Sequence, residues 1–244
     1  MKLKHYLIIG LSIVVVIFCV GSFCFIKFRQ MMYPIAPPMP PIVNQTTEEI
    51  LSQLEIVLKG KAPKILDQMQ PGLSEEKITE LEHQAGVQLP DEIKVLYKWH
   101  DGCNPSNRIA EGPIPDHRFL PLEEALGLNN IISNQVASAT PVQRTAFKVF
   151  AGHTQTWITL FDDGSGDGYF FDPNRKPSEG AVFYHMAEEG YYVFFPSPKN
   201  LLAGVLKCYE QNAFSWEDKT NSSSLKNGFT VSEKIWNEFG AVSN

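Results

Sequence analysis

No acidic residue precedes Glu48, and no charged side chain of either sign interrupts the twenty residues from Leu7 to Ile26. Cysteine is scarce. There are four, and because Cys19 and Cys24 fall inside that apolar run, only Cys103 and Cys208 remain, too few for a disulfide framework or a cysteine-based zinc site. The chain also lacks HExxH, G-x-S-x-G, and any glycine-rich loop ending in Lys-Ser or Lys-Thr, which removes the motif support for zinc peptidase, serine hydrolase and P-loop chemistry. No stripe of Lys and Arg is present. Residues 30–244 carry 17 Lys and Arg against 27 Asp and Glu, a balance of −10 that argues against a nucleic-acid ligand; it serves solubility first and would also favour approach of a basic partner.

What is present begins with that apolar run. Twenty residues at about 1.5 Å each are enough to cross about 30 Å of hydrocarbon, so Leu7–Ile26 reads as a single transmembrane helix. Cleavage after Val20-Gly21-Ser22 is the alternative, but the apolar run continues through Phe23-Cys24-Phe25-Ile26. Lys2 and Lys4 on one side are balanced by Lys27 and Arg29 on the other, so charge leaves the orientation open. Next, Pro34, Pro37, Pro38, Pro40 and Pro41 forbid a helix and favour an extended spacer over an SH3-type ligand, since no basic residue flanks the pattern closely.

Beyond the spacer the periodicity is helical. Thr46 and Glu49 form a capping box before Ile50, Leu51, Leu54, Val57 and Leu58, with Gly60 as the expected stop. Pro63 opens a short helix that ends by Pro71-Gly72. Ser74 caps a helix reaching Gly86, and Pro90, taken as the first helical residue, opens another through Ile93, Leu96, Tyr97 and His100. Cys103 to Pro115 reads as a long loop where function could sit. Phe119–Leu122 reads as a short strand leading into a helix at 123–128. Strands are expected at Ala146–Ala151, Thr156–Phe161, Gly168–Phe171, Ala181–His185 and Tyr191–Phe195, followed by a helix bearing Leu201, Leu202, Val205, Leu206 and Tyr209. Ser215–Gly228 reads as a polar loop, and Thr230 and Glu233 as a capping box for a last short helix. Helices before and after a run of closely spaced strands define an α+β fold with an antiparallel or mixed sheet.

Candidate chemistry is thin. Asp162, Asp163, Asp167 and Asp172 with their glycines are the densest oxygen cluster, and the rival to a binding role is a metal-dependent hydrolase using these four carboxylates. The calcium-loop pattern fails, because Asn174 stands where a bidentate Glu is needed; a glycine-rich turn between strands is the simpler reading. His83, His100, His117, His153 and His185 are isolated in sequence. Cys103 sits at the carboxyl end of its expected helix, where the dipole does not activate a thiol. Aromatic residues are abundant, and strand alternation puts some of them on the sheet face opposite the helices, where they either anchor a partner or are covered by flanking segments.

Leu89-Pro90-Asp91-Glu92 leading through Leu96-Tyr97 to His100-Asp101-Gly102, then Leu120-Pro121-Leu122-Glu123-Glu124, then Asp163-Gly164-Ser165-Gly166-Asp167-Gly168-Tyr169-Phe170-Phe171-Asp172, then Gly180-Ala181-Val182, follow one another in an order that resembles the Smi/Knr family of the SUKH superfamily, over roughly Pro71 to Tyr209. The resemblance implies an α+β fold, no shared catalytic residues, and either an immunity protein that binds a toxin or a regulator of cell-wall assembly. It also implies the cytoplasmic face of the membrane. The domain plan is then a tail and membrane helix (1–29), a proline-rich linker (30–45), a helical extension (46–70), the SUKH-like domain (71–210) and a tail with a short helix (211–244). No enzyme activity, cofactor or metal is expected. The partner is another protein, with a basic toxin the leading candidate and envelope scaffolding the alternative. The candidate partner-binding residues are Trp99, Asp101, Trp157, Asp163, Asp167, Tyr169 and Asp172.

Overall fold

The computed structural model describes residues 43–106, 110–127, 157–172, 180–186, 190–219 and 222–240, all within the unit Pro37–Asn244. The candidate span Leu7–Ile26, most of the linker and the expected strand Ala146–Ala151 lie outside the described residues. Among the described residues no helix is long and apolar enough to cross a membrane.

Helix α1, Thr47–Lys61, starts on the expected capping box: the Glu49 amide donates to Thr46 Oγ1 at 3.2 Å and the Thr46 amide to Glu49 Oε2 at 2.8 Å. Ile50, Leu51, Leu54 and Leu58 recur on one face and are all buried. Gly60 does not stop the helix. Lys61 completes it and reaches across to the carboxyl end of a later helix, where its ammonium donates to the Tyr209 carbonyl at 2.5 Å, the Glu210 carbonyl at 3.1 Å and Asn212 Oδ1 at 2.9 Å.

Helix α2, Pro63–Gln68, passes into a three-residue strand β1, Met69–Pro71. Helix α3, Glu75–Ala85, is capped by Ser74 and ended by Gly86 in the left-handed conformation (φ 67°), as the sequence pattern requires. Helix α4, Asp91–Trp99, starts one residue later than expected, with Pro90 as its cap. The turn between α3 and α4 is held by Glu82, a buried carboxylate that accepts from the Leu89 amide at 2.6 Å and pairs with Lys94 at 3.0 Å. His100 leaves the helix to open strand β2, His100–Cys103, which pairs antiparallel with β1.

Strand β3, Arg118–Phe119, precedes a helix α5 at 122–127. Strands β4 (Ile158–Asp162), β5 (Gly168–Asp172), β6 (Ala181–Met186) and β7 (Gly190–Phe195) complete a five-stranded sheet ordered β3-β4-β5-β6-β7, with every pairing antiparallel. Helix α6, Pro198–Glu210, packs on α1, on β6 and on β7, so that α1, α4, α6 and one sheet face enclose a common core. The opposite sheet face carries a second buried cluster of Trp157, Ala181 and Phe183 with Phe170 against it.

Two expectations need correction. Ser215–Gly228 is not a loop but an antiparallel hairpin of β8, Phe214–Lys219, and β9, Ser222–Asn227. Phe214 is fully buried and Trp216, two residues on, packs beside it; this period-2 anchor was masked by the serines and charges around it. The final helix α7, Phe229–Glu238, begins at Gly228, so Thr230 lies inside it and the expected capping box does not form. The loop expected from Cys103 to Pro115 is irregular over its described residues beyond Cys103, which belongs to β2, and Ala110 and Gly112 to Pro115 are buried.

The His-Asp-Gly and Leu-Pro-Leu motifs meet in space. Asp101 Oδ1 accepts from the Leu122 amide at 2.9 Å, capping α5 from a different element. Gly102, at φ 65°, lies so close to the neighbouring chain that a Cβ would stand 2.3 Å from Pro121 N and 2.4 Å from Leu120 C. The Leu120 amide in turn donates to the Leu160 carbonyl at 3.0 Å, tying this junction to β4.

Gly102→Ala should therefore destabilise the domain by at least about 2–3 kcal/mol, since backbone cannot yield as a flexible side chain can, and urea unfolding followed by circular dichroism measures it. The core predicts a second outcome. A fragment of residues 71–210 loses Ile50, Leu51, Leu54 and Leu58, each contributing about 1.5–3 kcal/mol on burial, so it should show no cooperative thermal transition while residues 43–240 retain one.

Candidate partner-binding surface

The exposed functional candidate is the tip of the β4–β5 hairpin, residues 163–167. Its conformation is set by Asp163: Oδ1 accepts from the Ser165 amide at 2.8 Å and the Asp167 amide at 3.0 Å, Oδ2 accepts from the Ser165 hydroxyl at 2.6 Å, and the Asp163 amide donates to the Asp167 carbonyl at 3.0 Å. Asp162 Oδ1 accepts from the Gly164 amide at 2.7 Å. Gly164 and Gly166 take positive φ, 80° and 111°, which lets the Ser165 and Asp167 amides turn toward one carboxylate. Burial pulls the Asp163 carboxyl upward, but the Ser165 hydroxyl and the Ser165 and Asp167 amides outweigh it and hold the group below its ordinary value.

The register brings the end of the 110–117 segment alongside this tip, because Arg118 pairs with Asp162. Asp116, exposed and at φ 61°, and His117, buried, thereby flank the turn. The His117 ring packs against Tyr169 and Tyr184, at centroid distances of 5.1 and 5.7 Å, with its Nδ1 2.7 Å from the Pro115 carbonyl. Tyr184 reports how the charges gather. Its hydroxyl is pushed up to about 12, first by burial and then by the carboxylates of Asp167, Asp163 and Asp116. Asp116 and Tyr184 thus join Asp163 and Asp167 in one acidic patch. Asp116 was not singled out from sequence, although Pro115-Asp116 is a turn signal that could have marked it.

The other candidate residues are not brought together with the tip. Tyr169 is buried in the main core between Phe161, His117 and Tyr184. Trp157 stacks on Phe183 at 4.9 Å and 13°, both buried on the far sheet face, with Phe170 half-buried beside them. Asp172 is buried at the opposite end of β5 from the tip, four residues or about 13 Å beyond Gly168 at about 3.3 Å per residue. That separation means Asp162, Asp163, Asp167 and Asp172 do not converge as the hydrolase reading requires, and among the described residues no three His, Cys, Asp or Glu side chains gather to hold a metal ion. Asp101 is half-buried at the α5 junction. Burial holds its carboxyl above the ordinary value against the Leu122 amide. Trp99 is half-buried, with Nε1 donating to Glu55 Oε2 at 3.1 Å. Cys103 is buried and its thiol is pushed up to about 11 by that burial, which leaves it poorly nucleophilic.

An antiparallel meander with helices before and after it, an acidic turn at one end and its quoted motifs engaged in backbone junctions describes an α+β module whose exposed chemistry suits contact with another macromolecule. The chain belongs to the SMI1 / KNR4 family (SUKH-1), whose model matches residues 72–204. At family level this supports a protein-binding, immunity-type module. No curated protein matches the chain. The matched stretch runs from the residue before α3's cap segment into α6, so α1, the β8–β9 hairpin and α7 lie outside it while sharing its core.

Replacing Asp163 with Ala should cost about 1–2 kcal/mol at pH 7 through loss of the turn's hydrogen bonds. Because the folded-state carboxyl is held below its ordinary value, its contribution is present above about pH 4 and is lost as the pH falls through the lowered value. The difference between variant and parent in urea midpoints should accordingly shrink between pH 7 and pH 3.

Proposed function

We propose that the chain is a membrane-tethered immunity-type module that neutralises a basic toxin by binding it directly, without catalysis. The observation that carries this reading is the acidic patch in which exposed Asp163 and half-buried Asp167 of the hydrogen-bonded turn meet exposed Asp116 of the neighbouring segment around Tyr184, in a part of the chain whose charge balance is −10. Clustered carboxylates raise the association rate of a positively charged protein, and an aromatic ring half-sunk among them offers apolar contact at the centre. The tether is supported by the uncharged run Leu7–Ile26 and the prolines that follow, which would hold the domain off the bilayer. The cytoplasmic face is the side on which we place the domain, following the family.

The test is retention of a partner. Full-length chain in detergent, expressed with the genes beside its own, should hold a basic protein through purification. The double variant Asp163→Lys with Asp167→Lys should weaken that complex at least tenfold, and raising the salt from 50 to 500 mM should lower the association rate of the parent. Neighbouring genes for envelope synthesis, with a partner whose binding ignores both salt and the tip charges, would replace toxin neutralisation with a scaffold role.

A further inference from the structure

We propose that His100 is a pH-sensitive latch that couples helix α1, the element next after the linker, to the rest of the domain. Both ring nitrogens face oxygen. Nδ1 lies 2.7 Å from the Gln70 carbonyl of β1, and Nε2 lies 3.2 Å from Glu55 Oε2 of α1. A carbonyl only accepts, so Nδ1 carries a hydrogen. A neutral ring protonated there would turn the Nε2 lone pair toward a carboxylate, whereas an imidazolium donates to both partners.

The carboxylate is kept ionised. Burial pulls Glu55 upward, but His100 and Lys59 outweigh it and hold the group below its ordinary value. The same Oε2 also receives Trp99 Nε1 at 3.1 Å, and Oε1 pairs with Lys59 at 3.2 Å. The groups facing the ring are therefore Glu55, with Lys59 behind it, from α1; the uncharged Gln70 from β1; and Trp99 from α4, whose indole meets the imidazole edge-on at 4.5 Å. Asp101, next along β2, is turned away to the Leu122 amide.

The sign follows from these partners. The latch is closed where Glu55 is ionised and His100 is protonated. It opens as the pH falls through the lowered Glu55 value, and opens again when the ring gives up its second proton and Nε2 no longer donates to the carboxylate. Opening does not detach α1, whose apolar face remains packed in the core. It loosens the helix relative to α6. Relevance to a tether rests on the membrane reading above, but the latch is tested independently of it.

Full-length chain in detergent micelles, labelled with nitrogen-15 at histidine, supplies both readouts. The His100 ring, assigned by its loss in His100→Gln, should show the doubly protonated nitrogen signature at pH 5.5. Hydrogen-exchange protection of α1 amides, taken as a ratio to those of α6, should fall about tenfold between pH 5.5 and 8. In Glu55→Gln the ratio should be flat. Should that variant fail to fold, His100→Asn, an uncharged donor to Gln70, should give the same flat profile. A neutral tautomer at pH 5.5, a flat ratio in the parent, or an unchanged slope in a folded variant would overturn the latch.

Discussion

A single carboxylate, Asp101, stands between the helical half of the domain and its sheet, and the rest of the fold is arranged around that contact. Its oxygen satisfies an otherwise orphaned amide at the start of α5, and its neighbour Gly102 lets β2 lie directly on Leu120-Pro121. From there the Leu120–Leu160 hydrogen bond carries the constraint into β4, and the Arg118–Glu124 ion pair braces the same corner. Burial makes ionised Asp101 costly, so the junction spends some stability on specifying one arrangement of the two halves. The motifs by which the family is recognised are in this sense joints. Gly180 belongs with them, since a Cβ there would stand 2.3 Å from the Phe171 ring.

The core extends further than the family match. Ile50, Leu54 and Leu58 from α1 and Ile235 from α7 share one buried cluster with Tyr97, Phe161 and Phe195. Trp236 packs edge-on against Phe195 at 5.2 Å and Phe214 at 5.8 Å, over the bare backbone of Gly204. The extension and the tail, set apart as separate segments on sequence grounds, are thus walls of the same interior.

Helices were legible because their signals are local: a capping box at Thr46, a serine cap at Ser74 and a left-handed glycine at Gly86 act within a few residues of themselves. Strands β4 to β7 were legible because branched and aromatic runs alternate with turn residues. The β8–β9 hairpin was not, since only Phe214 and Trp216 marked it and its burial depends on α6 and α7. Site residues fared differently. Alternation showed that the rings must divide between two sheet faces, but which face is covered is a tertiary fact, and it buried Trp157 and Phe183. Asp163 and Asp167 were found on the surface, while Asp116 joins them only through the pairing of β3 with β4.

The hairpin tip has a consequence for the kinetics of encounter. Since Asp163 already gathers two amides and a hydroxyl, the loop's freedom is surrendered when the chain folds and little more is lost when something docks. A visitor would meet a pre-shaped pattern of charge. Stripping water from those oxygens, more than any search through loop conformations, would then set the barrier to a tight fit.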